Sequence, residues 1–247
     1  GRQAELEKLE MALSLNGKAI KEGPKRKTWS MHDLKSIKPL TPTQEDMFHA
    51  WFNGNNVCAH GSAGTGKTYL AFYLALTEIL AHRQNRIIVV RSAVPTREVG
   101  FLPGTLEEKM MQYEEPYHSI LWELVGKSST YNDMKDAGLI EFYSTSFLRG
   151  LTWDNAVVLV DEAENLTFHE IDNVMTRIGE NTRIIFTGDT KQTDLDGSKR
   201  NGTEGLSAAR KVFCNMERFE SIEFGIHDIV RSAVVKSWII ASQDVAA

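Results

Sequence analysis

The segment Gly61–Thr68 restricts the possible folds of this chain more than any other feature. It reads Gly-Ser-Ala-Gly-Thr-Gly-Lys-Thr and satisfies the pattern G-x-x-x-x-G-K-[ST] at every fixed position. Val57–His60 before it has the composition of a short strand, and Tyr69–Ala81 after it has that of a helix. Glycines let the backbone curl so that its N–H groups point at an anion, and the helix start adds partial positive charge. The segment therefore predicts a phosphate-binding loop, since a chance glycine-rich turn would need all three features to coincide.

Lys67 and Thr68 give this loop its chemistry. The lysine can reach the β- and γ-phosphates of a nucleotide, and the threonine hydroxyl can ligate Mg²⁺. We therefore expect ATP and Mg²⁺ as ligands, with Lys67 also taking part in catalysis. The expected nucleotide contacts along this stretch are Gly61, Ser62, Ala63, Gly64, Thr65, Gly66, Lys67, Thr68 and Tyr69.

Composition narrows the class of protein. The 247 residues are enough for one large α/β domain or two small ones. No apolar run approaches the roughly 20 residues of a membrane helix, and the charged N-terminus lacks the apolar core of a signal peptide. Two cysteines, Cys58 and Cys214, give no disulfide framework, so we expect a cytoplasmic protein without a membrane partner. The scattered histidines indicate no structural zinc, and the net charge of −5 argues against broad attraction to nucleic acid while allowing a local basic groove.

Apolar runs alternate with helical patterns from about Leu40 onward. Together with the phosphate loop, this alternation predicts an α/β domain over residues 41–247, a P-loop NTPase fold with a mostly parallel sheet flanked by helices. The predicted strands are Val57–His60, Arg86–Val90, Ile140–Ser144, Ala156–Val160, Arg183–Thr187 and Ser221–Phe224. The predicted helices are Tyr69–Ala81, Leu106–Val125, Phe168–Ile178, Glu204–Phe213 and Ser232–Ala241.

Residues 1–40 are predicted to form an N-terminal helical extension. Gln3–Leu15 has the i, i+3, i+4 apolar spacing of an amphipathic helix, and a basic linker from Lys18 to Lys27 follows it. The linker is either a contact for nucleic acid or a partner, or a solvated tail, and its charge pattern favours the tail.

Two acids, Asp161 and Glu162, follow the apolar run Val157–Val160. Carboxylates at the carboxyl end of a buried parallel strand face the ligand crevice. We expect Asp161 to bind Mg²⁺ and Glu162 to polarise the attacking water. The second acid favours hydrolysis over transfer to a metabolite, although two acids in a turn would also fit.

Two further segments follow strands. After Arg183–Thr187, Asp189 and Gln192 are placed to sense the γ-phosphate, with Gln192 aligning the water, unless they are ordinary turn residues. Arg231, in the sequence Asp228-Ile229-Val230-Arg231, is a candidate to stabilise transition-state charge, in its own subunit or across a subunit boundary. An ordinary surface salt bridge is the alternative for Arg231.

Taken together, these motifs resemble the PhoH family of P-loop ATPases, found in bacteria and many phages and often induced by phosphate starvation. The order and spacing of the motifs carry the resemblance, which covers about Pro42–Ser242. The motifs are Gly61–Thr68, Arg91–Val94, Gly100–Gly104, Arg149–Thr152, Asp161–Ala163, Thr176–Gly179, Thr187–Asp189, Gln192 and Asp228–Arg231.

The family is similar to the first motor domain of superfamily-one helicases, and this similarity implies a RecA-like P-loop NTPase fold and further residue roles. Gln44 would read adenine, although a polar helix start explains it nearly as well. Arg91 and Ser92 would contact a single strand or relay the nucleotide state, and Arg149 and Thr152 lie in a similarly placed loop. In both loops the arginine could instead neutralise a nearby acid.

The chain departs from the family pattern at two positions. Ser92 stands where the family usually has proline, and Glu164 stands where it has glutamine. A glutamine can donate and accept hydrogen bonds, whereas an ionised glutamate can only accept. A polar relay through Glu164 is therefore in doubt, but the metal-binding acids are not affected.

The resemblance implies a Mg²⁺-dependent ATPase coupled to single-stranded nucleic acid, RNA more than DNA, in a bacterial or phage-infected cytoplasm. A helicase clamps ATP between two motor lobes, and this sequence predicts one lobe. We therefore expect a homo-oligomer, plausibly a hexamer, in which Arg231 reaches a neighbouring site. Two alternatives stay open, an ATP-gated switch or scaffold with slow turnover and a less favoured small-molecule phosphotransferase.

Overall fold

Six strands in the described part of the chain form one parallel sheet. The computed structural model describes residues 28–92, 106–190 and 204–245. Across the sheet the strand order is β3-β2-β4-β5-β1-β6, and each neighbouring pair is parallel. The α/β class with a mostly parallel sheet is therefore confirmed. The strands are β1 (Asn56–Gly61), β2 (Arg86–Arg91), β3 (Ile140–Ser144), β4 (Ala156–Val160), β5 (Arg183–Asp189) and β6 (Phe219–Phe224).

Helices cover both faces of this sheet. They are α1 (Pro42–Phe52), α2 (Lys67–Leu80), α3 (Leu106–Val125), α4 (Thr130–Asp136), α5 (Phe168–Met175), α6 (Glu204–Phe213) and α7 (Ala233–Val245). Within the described ranges, none of them combines the length and apolar character needed to cross a membrane.

Alternate residues of each strand face two separate cores. Val57 and Ile87 pack with α1 to α4, whereas Cys58 and Ile88, one residue further on, pack with α5 and α6. Successive side chains of a strand point to opposite faces, so burial on both faces requires a continuous apolar run. This requirement explains why the strands were recognisable in the sequence.

Most predicted elements agree with the structure. The bounds of β3, β4, α3 and α6 match the prediction, and the other strands are longer by one or two residues. The helix predicted at Phe168–Ile178 is too long, because α5 ends at Met175. Ile178 instead forms a parallel bridge with Trp153, whose N–H donates to the Arg177 carbonyl.

Two helices, α1 and α4, were missed. The start of α1 carries a readable signal, since Pro42 takes the first helical position and the Thr41 hydroxyl accepts from the Gln44 N–H at 3.3 Å. The N-terminal extension also contributes to the core from residue 29, because Trp29 and Leu34 are buried against the first cluster. The predicted Gln3–Leu15 helix and the basic linker lie outside the described residues.

Strand order brings the predicted motifs together. Strands β4, β5 and β1 are neighbours, so their carboxyl ends meet at one edge of the sheet. In this register Gly61 pairs with Asp189, and Asp161 follows β4 directly. The phosphate loop, the acidic pair and the end of β5 therefore surround one crevice, as expected for ligand sites of parallel sheets.

Candidate active site

The phosphate loop joins the end of β1 to the start of α2, and the loop's backbone is held from outside. Ser62 N–H donates to the Phe224 carbonyl at 2.8 Å, and Val230 N–H donates to the Gly64 carbonyl at 3.0 Å. Gly61 has φ +119°, and a Cβ there would lie 2.1 Å from the Phe224 carbonyl oxygen. Glycine is thus required at Gly61 by both conformation and space.

Gln44 also braces the loop. Its Nε2 donates to the Thr65 carbonyl at 3.0 Å, and its Oε1 accepts from the Leu40 N–H at 2.7 Å. The side chain is buried, and both ends of its amide are bonded to backbone groups. This arrangement fixes α1 against the loop, while the role of Gln44 as an adenine contact stays a prediction.

Lys67 is folded into the loop. Its Nζ donates to the Ser62 carbonyl at 2.6 Å and to the Thr65 hydroxyl at 3.2 Å. The same ammonium forms an ion pair with Asp189 at 2.8 Å, in which the lysine side chain is 5% exposed and the aspartate 53%. The carboxylate of Asp189 therefore pairs with the same ammonium group that is predicted to bind phosphate.

Asp161 lies at the centre of a hydroxyl network. Its Oδ1 accepts from the Thr68 hydroxyl at 2.8 Å and from the Thr187 hydroxyl at 2.7 Å, and its Oδ2 accepts from the Tyr117 hydroxyl at 2.9 Å. Burial, together with the charge of Asp161, raises the pKa of Tyr117 far above its usual range, so the phenol stays protonated.

This donor set fits Mg²⁺. The ion prefers oxygen ligands and is commonly held by one or two protein groups, with substrate phosphates and waters completing its shell. Thr68 and Asp161 bring a hydroxyl and a carboxylate oxygen within 2.8 Å of each other. No group of three or more His, Cys, Asp or Glu suited to a metal occurs in the described ranges.

Glu162 follows in the left-handed conformation, with φ +50° and ψ +43°. For a residue with a side chain this conformation is uncommon, and such residues cluster at functional sites. Its carboxylate forms an ion pair with Arg91. Arg91 also donates to the Tyr113 carbonyl at 2.9 Å and lies over the Tyr113 ring at 5.4 Å. The guanidinium therefore turns inward onto Glu162, and its predicted contact with nucleic acid stays a prediction.

Glu164 connects the turn after β4 to the end of β5. Its Oε2 accepts from the Asp189 N–H at 3.1 Å. Burial raises the pKa of Glu164 to about 7, and the charges of Asp189 and Glu162 act in the same direction. Near neutral pH this carboxyl is partly protonated and can then donate as well as accept, as glutamine does.

The remaining predicted residues lie at the rim. Arg149 and Thr152 are exposed after β3, and Ser92 follows β2 at the end of a described segment. Arg231 is exposed beside the phosphate loop, where its Cγ lies 3.0 Å from the position of a Cβ on Gly64. Gln192 lies outside the described residues.

Sequence reasoning missed two hydroxyl side chains of the site, Tyr117 and Thr187. Thr187 ends the predicted strand Arg183–Thr187 and begins the motif Thr187–Asp189, so its position was a usable signal. Tyr117 occurs in the middle of α3 and gives no local signal.

A parallel sheet with a phosphate loop after β1 and an acidic pair after β4 defines the class of P-loop NTPases. The family model described as PhoH-like protein matches residues 36–243 of this chain. The chain belongs to the PhoH family.

Curated relatives agree with this assignment. The PhoH-like protein of Bacillus subtilis (strain 168) is 35% identical over 208 residues, covering 84% of this chain and 64% of the relative. Protein PhoH of Escherichia coli (strain K12) is 34% identical over 207 residues, covering 82% of this chain and 58% of the relative. This chain therefore spans about three fifths of the length of these relatives. Among solved structures, the large terminase of a thermophilic bacteriophage is 11% identical with a TM-score of 0.49, covering 81% of this chain and 50% of that chain.

Proposed function

We propose that the protein binds ATP at the phosphate loop and hydrolyses it with Mg²⁺, in a cycle coupled to single-stranded nucleic acid, RNA more than DNA. The observation that carries this proposal is the convergence of Lys67, Asp161 and Glu162 at the carboxyl ends of β1 and β4, two strands separated only by β5. These side chains provide a phosphate-binding cation, a metal-binding carboxylate and a general base in one crevice.

The chain's own groups divide the work of hydrolysis. The loop N–H groups and Lys67 would neutralise the phosphates, and Glu162 would orient a water molecule and accept its proton during in-line attack. Thr68 and Asp161 would hold Mg²⁺, which neutralises the charge that develops on the phosphate oxygens. Two contacts must change first, because Lys67 is paired with Asp189 and Glu162 with Arg91.

The loop after β3 supports the nucleic-acid part of the proposal. Phe147 is 55% exposed there, and Arg149 is exposed two residues later. Exposed aromatic rings stack on unpaired bases, and arginines pair with phosphates, in proteins that bind single strands. The loop thus offers both contacts at the same edge of the sheet as the phosphate loop.

The surface of α7 supports the proposal of a homo-oligomer, plausibly a hexamer. Val234 is 79% exposed and Trp238 is 73% exposed, one helical turn apart. The same helix contacts the phosphate loop, since a Cβ on Gly64 would lie 3.1 Å from the Ile239 Cδ1. An exposed apolar surface next to the nucleotide site suits a second copy that reaches into that site, or that receives Arg231.

The oligomer is tested by sedimentation of Trp238→Ser, with Trp122→Ser as the matched control because Trp122 is 58% exposed on α3. We expect the α7 variant to dissociate and the α3 variant to keep the wild-type state. A wild type that sediments as a monomer at all concentrations would disprove the oligomer.

The ATPase is tested by phosphate release from Mg-ATP, with and without single-stranded RNA or DNA, over a range of protein concentrations. Glu162→Gln keeps the shape of the side chain but removes the base, and Glu217→Gln changes an exposed acid outside the site. We expect turnover to rise with strands and with protein concentration, and to be lost in Glu162→Gln alone. Slow turnover that ignores both strands and concentration would instead identify an ATP-gated switch, in which the Lys67–Asp189 and Arg91–Glu162 pairs mark one of its two states.

A further inference from the structure

Tyr117 lies in the middle of α3 with no exposed surface. The centre of its ring lies 5.0 Å from that of the Phe72 ring on α2 and 6.3 Å from that of the Phe142 ring on β3. These contacts with a helix and a strand hold the Tyr117 ring in place. A phenylalanine ring would fill this space equally well. The hydroxyl therefore needs a separate explanation.

The Tyr117 hydroxyl is hydrogen-bonded to Asp161, the candidate metal ligand. It donates to Asp161 Oδ2 at 2.9 Å, and the direction is fixed because an ionised carboxylate only accepts. A buried hydroxyl without a partner would destabilise the fold. The hydrogen bond to Asp161 thus allows a tyrosine hydroxyl to be buried at this position.

Each oxygen of Asp161 has a different set of partners. Oδ1 accepts from Thr68 and Thr187, whereas Oδ2 accepts from Tyr117. If Thr68 turns its oxygen toward Mg²⁺, the hydroxyls of Thr187 and Tyr117 remain to fix the plane of the carboxylate. The phenol approaches from α3, whereas the Thr68 hydroxyl comes from the start of α2 and reaches the other oxygen of the acid.

We propose that Tyr117 is a positioning residue that fixes the Asp161 carboxylate for a divalent cation bound together with a nucleotide. The inference rests on the proposed Mg²⁺–nucleotide site and extends it to a residue outside the loop and acid motifs. Partners that orient metal-binding carboxylates typically change metal affinity or activity by about 10–100-fold when they are removed.

Tyr131 provides a matched control. It is also buried, and its hydroxyl also donates to a carboxylate, Glu114, at 2.5 Å. Glu114 keeps Lys135 as a partner at 2.7 Å and takes no part in the site. Tyr117→Phe and Tyr131→Phe therefore remove the same group from similar surroundings, and only Tyr117 contacts Asp161.

The experiment measures ADP affinity by calorimetry with and without Mg²⁺ for the wild type and both variants, next to thermal unfolding. We expect Tyr117→Phe to keep the Mg²⁺-free affinity and to need about 10-fold more Mg²⁺ for half-maximal tightening, while Tyr131→Phe matches the wild type. An unchanged Mg²⁺ requirement in Tyr117→Phe, or an equal loss in Tyr131→Phe, would overturn the inference.

A double variant protects the result against a change in folding. In an Asp161→Asn background, Tyr117→Phe should cause no further loss of Mg²⁺ dependence, because its target carboxylate is gone. An additive loss would mean that Tyr117 acts elsewhere and would reject the role.

ADP binding needs no turnover, so this inference and the ATPase proposal can fail separately. A wild type that binds Mg-ADP but releases no phosphate would refute the ATPase proposal and leave this inference standing on its own test.

Discussion

The phosphate loop and the acidic edge of the site are built in different ways. The loop is a single stretch, Gly61–Thr68, and Lys67 contacts the Ser62 carbonyl only five residues away. The acidic edge is assembled from distant segments, since Tyr117 and Asp161 are 44 residues apart and Arg91 comes from another strand. The loop carries its phosphate-binding groups in one segment, although Phe224, Val230 and Gln44 brace its backbone, whereas the groups of the acidic edge come from several elements.

This comparison predicts that a change within the loop causes the largest loss of nucleotide affinity. Lys67→Ala removes a buried cation from the phosphate site, and we expect ADP affinity to fall by about 100-fold. Calorimetric titration measures this change, with the exposed Lys127→Ala as control. Binding within a few-fold of the wild type would mean that the loop does not hold phosphate in this protein.

A change at the acidic edge should alter regulation more than binding. Arg91→Gln breaks the ion pair with Glu162, so we expect turnover without strands to rise by about 10-fold and stimulation by strands to be lost. Arg86→Gln is the control, since Arg86 lies on the same strand and pairs with Glu141 at 2.8 Å. Phosphate release with and without RNA decides this, and lower basal turnover in Arg91→Gln would show that the pair holds Glu162 in its working position.

The Lys67–Asp189 pair links the two regions. Breaking this pair should change ADP affinity less than the removal of Lys67 does. Asp189 is 53% exposed, and such pairs contribute about 1 kcal/mol or less. Asp189→Asn should therefore tighten Mg²⁺-free ADP binding by up to about 5-fold, with the gain shrinking as salt rises. Weaker binding in titrations at two salt concentrations would instead assign Asp189 a direct contact with the nucleotide.

The smallest expected effect is at Glu164, where the two regions meet. Its pKa of about 7 lies above the ordinary value of 4.5, so the folded state binds more protons than the unfolded state between these values. The stability associated with this group is therefore present below pH 4.5 and is lost as pH rises through 7. Glu164→Gln is neutral throughout, and it should raise Tm by about 2–4 °C at pH 8 and by little near pH 5.

Thermal unfolding at several pH values measures this difference, with Glu180→Gln as an exposed control. A gain that is equal at pH 5 and pH 8 would mean that charge on Glu164 does not contribute to it. The same measurement compares the stability of glutamate and glutamine at position 164. The two should differ only where the glutamate is ionised, because the ionised side chain cannot donate a hydrogen bond.

Local patterns were read correctly where one segment contains the whole signal. The continuous apolar strand Ala156–Val160 and the loop that begins α2 are examples, because burial on two faces and phosphate binding each impose a composition. The end of α5 was misjudged because Ile178 joins a bridge with Trp153, a partner that is distant in sequence. Arg91 was placed in a nucleic-acid loop by similarity, and its ion pair with Glu162 depends on the packing of β2 beside β4.

The sequence by itself determined the phosphate loop, the acidic pair, the alternation of strands and helices, and the family. These features follow from backbone conformation and from periodic burial, which act over a few residues at a time. The tertiary structure alone decided that Asp189 meets Lys67, that Arg91 meets Glu162 and that Tyr117 meets Asp161. Such contacts depend on the order of strands in the sheet and on the helix packed across it, and no spacing along the chain encodes either one.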